Sequence, residues 1–387
     1  MKVHNKIIKA FGALLIAAML FAAMPTNDVL ADASEVNPAL QAGADRLVAV
    51  QNDDGGWDWP LDDGDPTNAS PKNTIGPIGM GLAQAYLHTG DPSYYAALQD
   101  AGTFLTTKTI FSGSDGYLAA QLDEIFGVTT YTDYVKANFY DKLTTGTYER
   151  AGVSYDIPSY ITYLRNYRTG RSANLAAWDL GYALVGAAEC GVTGTELQYW
   201  IDGVKAEINE LDDYTETPET MWYFSDGLAG ALYGLSYVNE DMDPTSGYYA
   251  DATNIGDLFN GLLALQNESG GFVWHPDYTL VNDQNEGTQA TAYAILALNE
   301  YDRVGYLDEI RAASDYMLGI QLSTGGWDNY PAVGTYEASG ENNEVTAEAM
   351  WGIATAYPVL QVCPGEYTSI QSAITAASSG DTIFVCP

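Results

Sequence analysis

The sequence is poor in basic residues and rich in acidic ones. Its 387 residues include 15 Lys and Arg against 51 Asp and Glu, which gives a formal net charge of −36. Nucleic acids and anionic membrane surfaces are themselves negative, so a chain of this charge is poorly suited to either. We therefore expect no nucleic-acid partner. The acidity suits calcium binding, a saline habitat or simple solubility, and these alternatives stay open.

Histidine and cysteine are also scarce, with three of each. His88 and His275 lie near no cysteine and in no His-x-x-x-His spacing, so no zinc site is expected. Cys190 lies in an apolar helical stretch and is expected to be buried. Cys363 and Cys386 each stand in a Val-Cys-Pro segment and could pair in an exported protein.

Long apolar runs are missing after the N-terminus. There, Lys2, Lys6 and Lys9 precede the apolar run Phe11–Met24, and Ala31 ends a cleavage-like Val-Leu-Ala. This pattern predicts a signal peptide over 1–31, with an uncleaved anchor as the alternative. We expect a secreted or cell-surface protein with no stable membrane span after cleavage.

Three short segments are near-copies of one another. They are Gln51–Trp57, Gln266–Phe272 and Gln321–Trp327, each with the pattern Gln-x3-Gly-Gly followed by an aromatic ring. Each follows an apolar helical run, and the last two lie about 55 residues apart, room for a pair of helices. We expect equivalent turns with φ > 0 at one glycine of each pair, and the ring folded back over the helix end.

Helical patterns alternate between two series. The outer series is predicted over 38–51, 92–107, 131–143, 194–210, 250–267 and 305–321. The inner series, rich in Ala and Gly, is predicted over 74–88, 115–126, 173–189, 220–237, 287–300 and 342–357. Helices that are apolar on most faces belong inside a fold, and small residues let them approach closely. The fold class is therefore all-α: an (α/α)6 toroid of six helical hairpins over 32–358.

These repeats resemble the terpenoid cyclase and protein prenyltransferase α/α-toroid superfamily, in which squalene-hopene cyclases carry similar Gln-x3-Gly-Gly-Trp turns. The resemblance implies the fold and leaves function open, because one fold hosts many chemistries. The same toroid also occurs in a family of secreted pectate lyases. The cyclase Asp-x-Asp-Asp motif is absent, and the nearest segment, Glu210–Asp213, has the wrong first residue. The prenyltransferase zinc ligands have no counterpart either.

Residues 359–387 look like the opening of a right-handed parallel β-helix of the pectin-lyase type. A short helix over 369–377 and a first strand over 382–385 are expected. Stacked coils need neighbours to bury their faces, so this segment is expected to be the truncated start of a larger domain.

Candidate catalytic residues lie at the first turns of the inner helices and in the arginine-rich segment 150–171, which contains Arg150, Arg165, Arg168 and Arg171. Carboxylates beside aromatic rings suit acid–base chemistry, and arginines suit an anionic substrate. The predicted catalytic residues are Glu344, Glu348, Asp226, Arg165, Arg168 and Asp156. The predicted substrate-binding residues are Trp178, Trp222, Tyr155, Trp274, Trp351 and Tyr293. Alternatively, the carboxylates cap helices, the rings fill the ring centre, and the arginines pair with the protein's own acidic groups.

An acidic loop between residues 53 and 65 offers oxygen ligands for a cation. Asp58, Asp62, Asp63 and Asp65 are the candidate ligands, and Ca²⁺ is the candidate ion, because it accepts flexible oxygen-rich loops. No EF-hand spacing is present, and a solvated loop is the alternative.

Taken together, the sequence favours a secreted protein that binds or cleaves an extracellular, acidic polysaccharide as a lyase or hydrolase. A non-catalytic surface module and a divergent cyclase are the alternatives.

Overall fold

A computed structural model describes residues 33–168, 174–211, 223–274, 286–330, 339–362, 370–378 and 381–385. The proposed signal peptide, Cys363 and Cys386 lie outside these ranges. Within the described residues, no helix combines the length and apolar character that crossing a membrane requires.

The described chain is mostly helical. The inner helices are α2 (Ile75–Thr89), α4 (Ser114–Phe126), α8 (Leu175–Glu189), α10 (Phe224–Tyr237), α12 (Thr288–Asp302) and α14 (Asn343–Ala356). The outer helices are α1 (Ala33–Ala49), α3 (Pro92–Thr107), α5 (Thr130–Val135), α9 (Gly194–Ile208), α11 (Ile255–Leu263) and α13 (Leu307–Gly319). The bounds of α2, α3, α4, α8 and α14 lie within two residues of the predicted ones.

The inner helices form a closed ring. Helix α2 packs on α4, α4 on α8, α8 on α10, α10 on α12, α12 on α14, and α14 returns to α2. Outer helices bridge neighbouring members: α1 contacts α2 and α14, and α13 contacts α12 and α14. Small residues permit this packing, since a Cβ at Gly81 would lie 2.2 Å from the Ala347 carbonyl oxygen. The core therefore lies between the two helix layers and at the ring centre.

The three repeated turns have the same structure, as predicted. The first glycine of each pair has positive φ: 87° at Gly55, 92° at Gly270 and 92° at Gly325. The Trp57 indole N–H donates to the Leu47 carbonyl (2.8 Å), and that of Trp327 to Met317 (2.8 Å), so each ring folds back over its helix.

The glutamine of each turn also ties it to the next outer helix. Its amide N–H donates both to the turn carbonyl four residues later and to a carbonyl of that helix. The second bonds run from Gln51 to Ala97 (2.9 Å), from Gln266 to Glu309 (2.8 Å) and from Gln321 to Ala39 (2.9 Å). Because Ala39 lies in α1, the last turn joins the end of the ring to its beginning.

A second set of bonds joins each segment after a turn to the preceding inner helix. Ser225 N–H donates to Trp274 O (3.2 Å), Thr288 to Asn329 O (2.9 Å) and Asn343 to Pro60 O (2.8 Å). These bonds hold the loops over the N-terminal ends of the inner helices.

Several elements differ from the predicted series. The predicted outer helix over 131–143 is broken into α5, a π-helical stretch Lys136–Tyr140, and α6 (Asp141–Thr144). An antiparallel hairpin, β1 (Tyr148–Arg150) with β2 (Val153–Tyr155), and α7 (Ile157–Arg168) were not predicted. The two glycines Gly146 and Gly152, both with positive φ, turn the chain there.

The C-terminal segment contains strands as well as a helix. Strand β3 (Val359–Val362) pairs in parallel with β4 (Thr382–Val385), and α15 (Ile370–Ala376) lies between them in sequence. Asp381 accepts from Arg303 (2.9 Å), and the guanidinium of Arg311 lies 3.4 Å from the same oxygen. These ion pairs attach the segment to α13 and the residue after α12. The β-helix assignment remains a prediction.

Candidate functional site

A cavity of about 680 Å³ opens at the N-terminal ends of the inner helices. Its walls come from the first turns of α8, α10, α12 and α14, from the residues before α2 and α4, and from the loops after two of the repeated turns. The ring of helices thus brings residues more than 200 positions apart in sequence to one site, as with Trp59 and Glu344.

Aromatic rings form much of the wall. Trp178 lies 5.5 Å from Tyr293 and 5.2 Å from Tyr182, measured between ring centroids. Trp59 is 55% exposed, and its indole N–H donates to Glu344 Oε2 (3.1 Å). The other lining rings are Tyr223 and Tyr330.

The repeated turns position two of the wall segments. Trp59 stands two residues after Trp57, and Asn329 stands two residues after Trp327; both line the cavity. Trp274 has the equivalent place after Phe272, and its ring centroid lies 6.0 Å from that of Tyr330. The structural repeat therefore places a side chain in the cavity wall after two of the turns, and after the third a ring that lies near the lining residue Tyr330.

The Asp226 carboxyl lines the cavity and has a raised pKa. It is 4% exposed, lies in the first turn of α10 and makes no ion pair among the described residues. Burial raises its pKa to about 7. The α10 dipole favours the ionised form by about 0.3–1 kcal/mol. A rise in pKa from 3.8 to about 7 corresponds to about 4 kcal/mol, so the cost of desolvation outweighs the helix dipole. Near neutral pH this carboxyl is protonated in a large fraction of molecules.

Glu348 lies behind the wall, 1% exposed, in a hydrogen-bonded chain. The Tyr293 hydroxyl donates to Oε1, and the Gln289 amide donates to Oε2 (2.8 Å). Asn329 in turn donates to the Gln289 Oε1 (2.8 Å). Burial, and then the neighbouring Glu344, raise the pKa of Glu348 well above its ordinary value. Glu348 therefore fixes the orientation of Tyr293 and Gln289.

Three further carboxylates line the cavity: Asp179, Glu341 and Glu344. Glu344 belongs to the first turn of α14, where the Asn342 side chain caps the helix. Glu341 Oε1 accepts from Arg46 Nε at 2.9 Å, so its charge is balanced within the protein.

The remaining predicted catalytic residues lie elsewhere. Arg165 forms ion pairs with Glu207 and Glu210, and it does not line the cavity. Asp156 caps α7, accepting from the Ser159 N–H at 2.9 Å. The side chain of Arg168 lies outside the described residues. The structure therefore brings together Asp226, Glu344 and Glu348 and leaves Arg165 and Asp156 outside the cavity.

Some of the predicted substrate-binding residues line the cavity and others do not. Trp178 and Tyr293 line the cavity, whereas Trp351 is buried beneath it, with its ring centroid 5.2 Å from that of Tyr117. Tyr155 packs against Tyr163 (5.3 Å) away from the cavity. Trp222 lies outside the described residues.

Four lining rings were not predicted: Trp59, Tyr182, Tyr223 and Tyr330. Trp59 and Tyr330 follow repeated turns by two and three residues, so the repeat itself carried the signal that could have located them. Tyr182 is one helical turn from Trp178, on the same face of α8.

Part of the acidic loop forms a compact group. Carboxylate oxygens of Asp58, Asp62 and Asp63 lie within 4.8 Å of one another, with Asp58 8% exposed and the other two exposed. Asp65 is not part of this group; its Oδ1 accepts from the Thr67 hydroxyl (2.6 Å). Asp58 directly precedes the cavity-lining residues Trp59 and Pro60 in sequence, and Asp62 and Asp63 follow them after Leu61.

Comparison with known proteins gives matches to solved structures. No protein-family model matches the sequence, and a comparison with curated proteins gives no match. A possible GH105 family member from Salmonella enterica serovar Paratyphi A is 13% identical, with a TM-score of 0.56 over 86% of this chain and 95% of that chain. A possible GH105 member from Klebsiella pneumoniae is 13% identical, with a TM-score of 0.54 over 86% and 94%.

An unsaturated glucuronyl hydrolase (UGL) structure with dGlcA-Glc-Rha-Glc also matches. It is 11% identical, with a TM-score of 0.53 over 83% of this chain and 96% of that chain. At such identities the likeness concerns the fold alone. These chains are α/α-toroids, and the fold of this protein is therefore that of an α/α-toroid.

Proposed function

We propose that this protein is a secreted carbohydrate-active enzyme, with a toroid of six helical hairpins, that binds a saccharide chain in the cavity and cleaves a glycosidic bond. The observation that carries the proposal is the buried Asp226 carboxyl on the wall of a cavity of about 680 Å³ whose lining also includes six aromatic rings and three further carboxylates. Rings pack against the faces of sugars, and a protonated carboxyl is the group that glycosidic cleavage requires. The GH105 and UGL structures share the fold, which is consistent with this proposal.

In the proposed reaction Asp226 acts as the general acid and protonates the leaving glycosidic oxygen. Glu344 lies on α14, which α12 separates from α10 in the ring. It acts as the base, which takes a proton from water in a hydrolase or from a C–H group in a lyase. Glu348 is a positioning residue, because it holds Tyr293 and Gln289 through hydrogen bonds. A polar, carboxylate-lined cavity does not favour the apolar substrate of a cyclase.

The test is an activity screen over neutral, cationic and uronate polysaccharides. Reducing ends report hydrolysis, and ultraviolet absorbance of unsaturated products reports elimination. Glu344→Gln is expected to lower kcat by about 10²–10⁴, the usual contribution of a general base. Glu149→Gln, an exposed glutamate on β1, is the matched control and should leave the rate unchanged.

Two outcomes would contradict the proposal. No product from any polymer would remove the enzymatic function, and saccharide binding without turnover would favour a non-catalytic binding module. Equal activity of the Glu344→Gln variant and the wild type would remove the assigned base.

We also propose that the group formed by Asp58, Asp62 and Asp63 binds Ca²⁺. Three carboxylates within 4.8 Å repel one another, and a cation bound only by the folded chain relieves that repulsion. At 100 times its Kd, such an ion stabilises the fold by about 2.7 kcal/mol.

Ca²⁺ is therefore expected to raise the melting temperature, and Asp62→Asn combined with Asp63→Asn should blunt the rise. Mg²⁺ should act more weakly, because it demands stricter octahedral geometry. Calorimetry with Na⁺ at matched ionic strength is the control. An equal rise with Na⁺ would show that screening of the net charge, and not a site, is responsible.

A further inference from the structure

The β1–β2 hairpin carries an arginine that takes no part in the proposed reaction. Five arginines have side chains that the structure describes, and four of them pair with carboxylates: Arg46, Arg165, Arg303 and Arg311. Arg150, the fifth, forms no ion pair with any described residue, and its guanidinium lies over the Tyr163 ring, 5.1 Å from the ring centroid. In a chain with 51 acidic residues, such an arginine is available to an anionic ligand.

The hairpin fixes the position of this guanidinium. Ala151 and Gly152 both have positive φ (51° and 79°), as a two-residue hairpin turn requires. Arg150 pairs with Val153 across the turn. Because successive side chains of a strand alternate between its two faces, Arg150 and its neighbour Glu149 lie on opposite faces of the hairpin. The neighbouring carboxylate is therefore directed away from the guanidinium, whose planar fork of N–H donors matches a carboxylate.

A row of tyrosine rings continues from the guanidinium along α7. Tyr160, Tyr163 and Tyr167 form this tyrosine row, and their spacing of i, i+3 and i+7 places them on one face of the helix. Neighbouring ring centroids lie 5.9 and 6.0 Å apart, with interplanar angles of 28° and 29°. Tyr160 is 1% exposed, and Tyr167 is 65% exposed. The row therefore leads from the core to an aromatic face at the surface.

We infer that Arg150 and the tyrosine row form a second saccharide site, outside the cavity, that binds a uronate-bearing chain. Neither Arg150 nor any ring of the row lines the cavity. The guanidinium binds a uronate carboxylate through paired N–H donors, and Tyr167 packs against the face of a sugar. The inference goes beyond the proposed function, because the cavity takes no part in this binding.

The combination of groups favours an acidic saccharide over simpler ligands. A small anion uses the guanidinium and gains nothing from the rings, whereas a neutral sugar uses only the rings. A uronate chain uses both. The net charge of −36 opposes the approach of a polyanion, but charges more than about 8 Å away are largely screened at about 0.15 M salt. The local contact with Arg150 therefore decides the binding.

The test is binding calorimetry at physiological ionic strength and without Ca²⁺, so that no cation in the acidic loop can bridge to the ligand. The three probes are a galacturonate oligomer, its methyl ester and a glutamate oligomer of the same charge. The ester keeps the sugar rings and removes the carboxylates. The galacturonate oligomer is expected to bind about tenfold more tightly than either of the others, because only it offers both carboxylates and sugar faces.

Variants separate the two parts of the site. Arg150→Gln is expected to weaken binding of the galacturonate oligomer about 10- to 100-fold, the range for lost hydrogen bonds to a charged group, and to change binding of the ester little. Arg150→Lys should give an intermediate loss, because the ammonium keeps the charge without the fork. Tyr167→Ala should weaken both oligomers by the same factor, since the ring contacts the sugar whatever its charge.

Two matched controls are available at exposed positions. Lys142→Gln removes one positive charge, and Tyr199→Ala removes one exposed ring, so neither should change the binding of any probe. Because the Tyr167 ring is largely exposed, Tyr167→Ala is expected to keep the wild-type melting temperature. A loss of binding in that variant then reports the site and not the fold.

Several results would overturn the inference. Equal losses from Arg150→Gln and Lys142→Gln would show that the charge of the whole surface is responsible. Binding unaffected by Arg150→Gln and Tyr167→Ala would place the saccharide in the cavity alone. Equal binding of the glutamate oligomer would assign this surface to an acidic protein. Absence of binding by all three probes would also remove the site.

The proposed function stands or falls on a different measurement. Its readout is product formation and the effect of Glu344→Gln, neither of which involves Arg150. Cleavage of a polysaccharide with binding that ignores Arg150 would remove only the second site. Galacturonate binding that depends on Arg150, in a protein that cleaves nothing, would remove only the enzymatic function.

Discussion

Replacing Asp226 with Asn is expected to stabilise the folded protein above pH 7 and to remove most of its activity. The carboxyl has its pKa raised to about 7 by burial, against 3.8 for the unfolded chain. The folded state therefore holds the proton more tightly, and its stability falls as pH rises from about 4 to about 7. Above that range the ionised, buried carboxylate costs up to about 4 kcal/mol, which the neutral amide avoids.

Urea unfolding at pH 4 and pH 8 checks this expectation. The variant should match the wild type at pH 4, where both side chains are neutral, and exceed it at pH 8. Asp202→Asn, at an exposed position on α9, is the control and should show no such pH dependence. A variant less stable than the wild type at pH 8 would show that the ionised form is satisfied in the folded state.

The same substitution should lower kcat for glycosidic cleavage by about 10²–10⁴, because an amide cannot donate the proton of a general acid. A gain in stability with a loss of activity is the expected signature of a functional group held at an energetic cost. Unchanged activity would remove Asp226 from the mechanism without affecting the stability argument.

Replacing Lys108 with Met is expected to destabilise the protein by about 3–5 kcal/mol. Lys108 Nζ lies 2.6 Å from Asp115 and donates to the Lys72 carbonyl at 2.5 Å, and both charged side chains are 1% exposed or less. Without its partner, Asp115 would be a buried, uncompensated carboxylate. Asp115 also accepts a hydrogen bond from the Ser112 N–H (2.8 Å), and Ser112 lines the cavity. Disorder of Asp115 would therefore extend to the cavity wall.

A second substitution keeps this prediction testable. Combining Lys108→Met with Asp115→Asn removes both charges and retains an acceptor for Ser112, and it should recover much of the lost stability. Lys142→Met, at an exposed position, is the control for loss of one positive charge. Urea unfolding at neutral pH measures all three. A cost below 1 kcal/mol for the single variant would mean that water reaches the pair.

The local features of this fold could be predicted from the sequence because each depends on neighbouring residues. The turn at Gly325 needs positive φ and a ring that returns to its own helix, and both are fixed within about ten residues. The inner helices could be recognised from their Ala-rich and Gly-rich composition. In contrast, β1, β2 and α7 carry no copy of the repeat, and their positions depend on packing with distant elements.

The candidate site could be predicted only in part. Asp226, Glu344 and Trp178 were found because the first turns of inner helices face the centre of a toroid. Arg165 was predicted to lie with them because its segment is rich in arginine. In the structure Arg165 forms ion pairs with Glu207 and Glu210, and this pairing depends on α7 lying beside α9.

The sequence by itself determined the repeated turns, the two helix series and the acidic character of the chain. Only the tertiary structure decided that Gln321 reaches Ala39 and closes the ring, and that Trp59 donates to Glu344 across 285 positions. Only the tertiary structure removed Asp226 from water and left the described cavity walls without a basic side chain. The physical reason is that desolvation and charge environment are properties of the space around a residue, which distant parts of the chain fill.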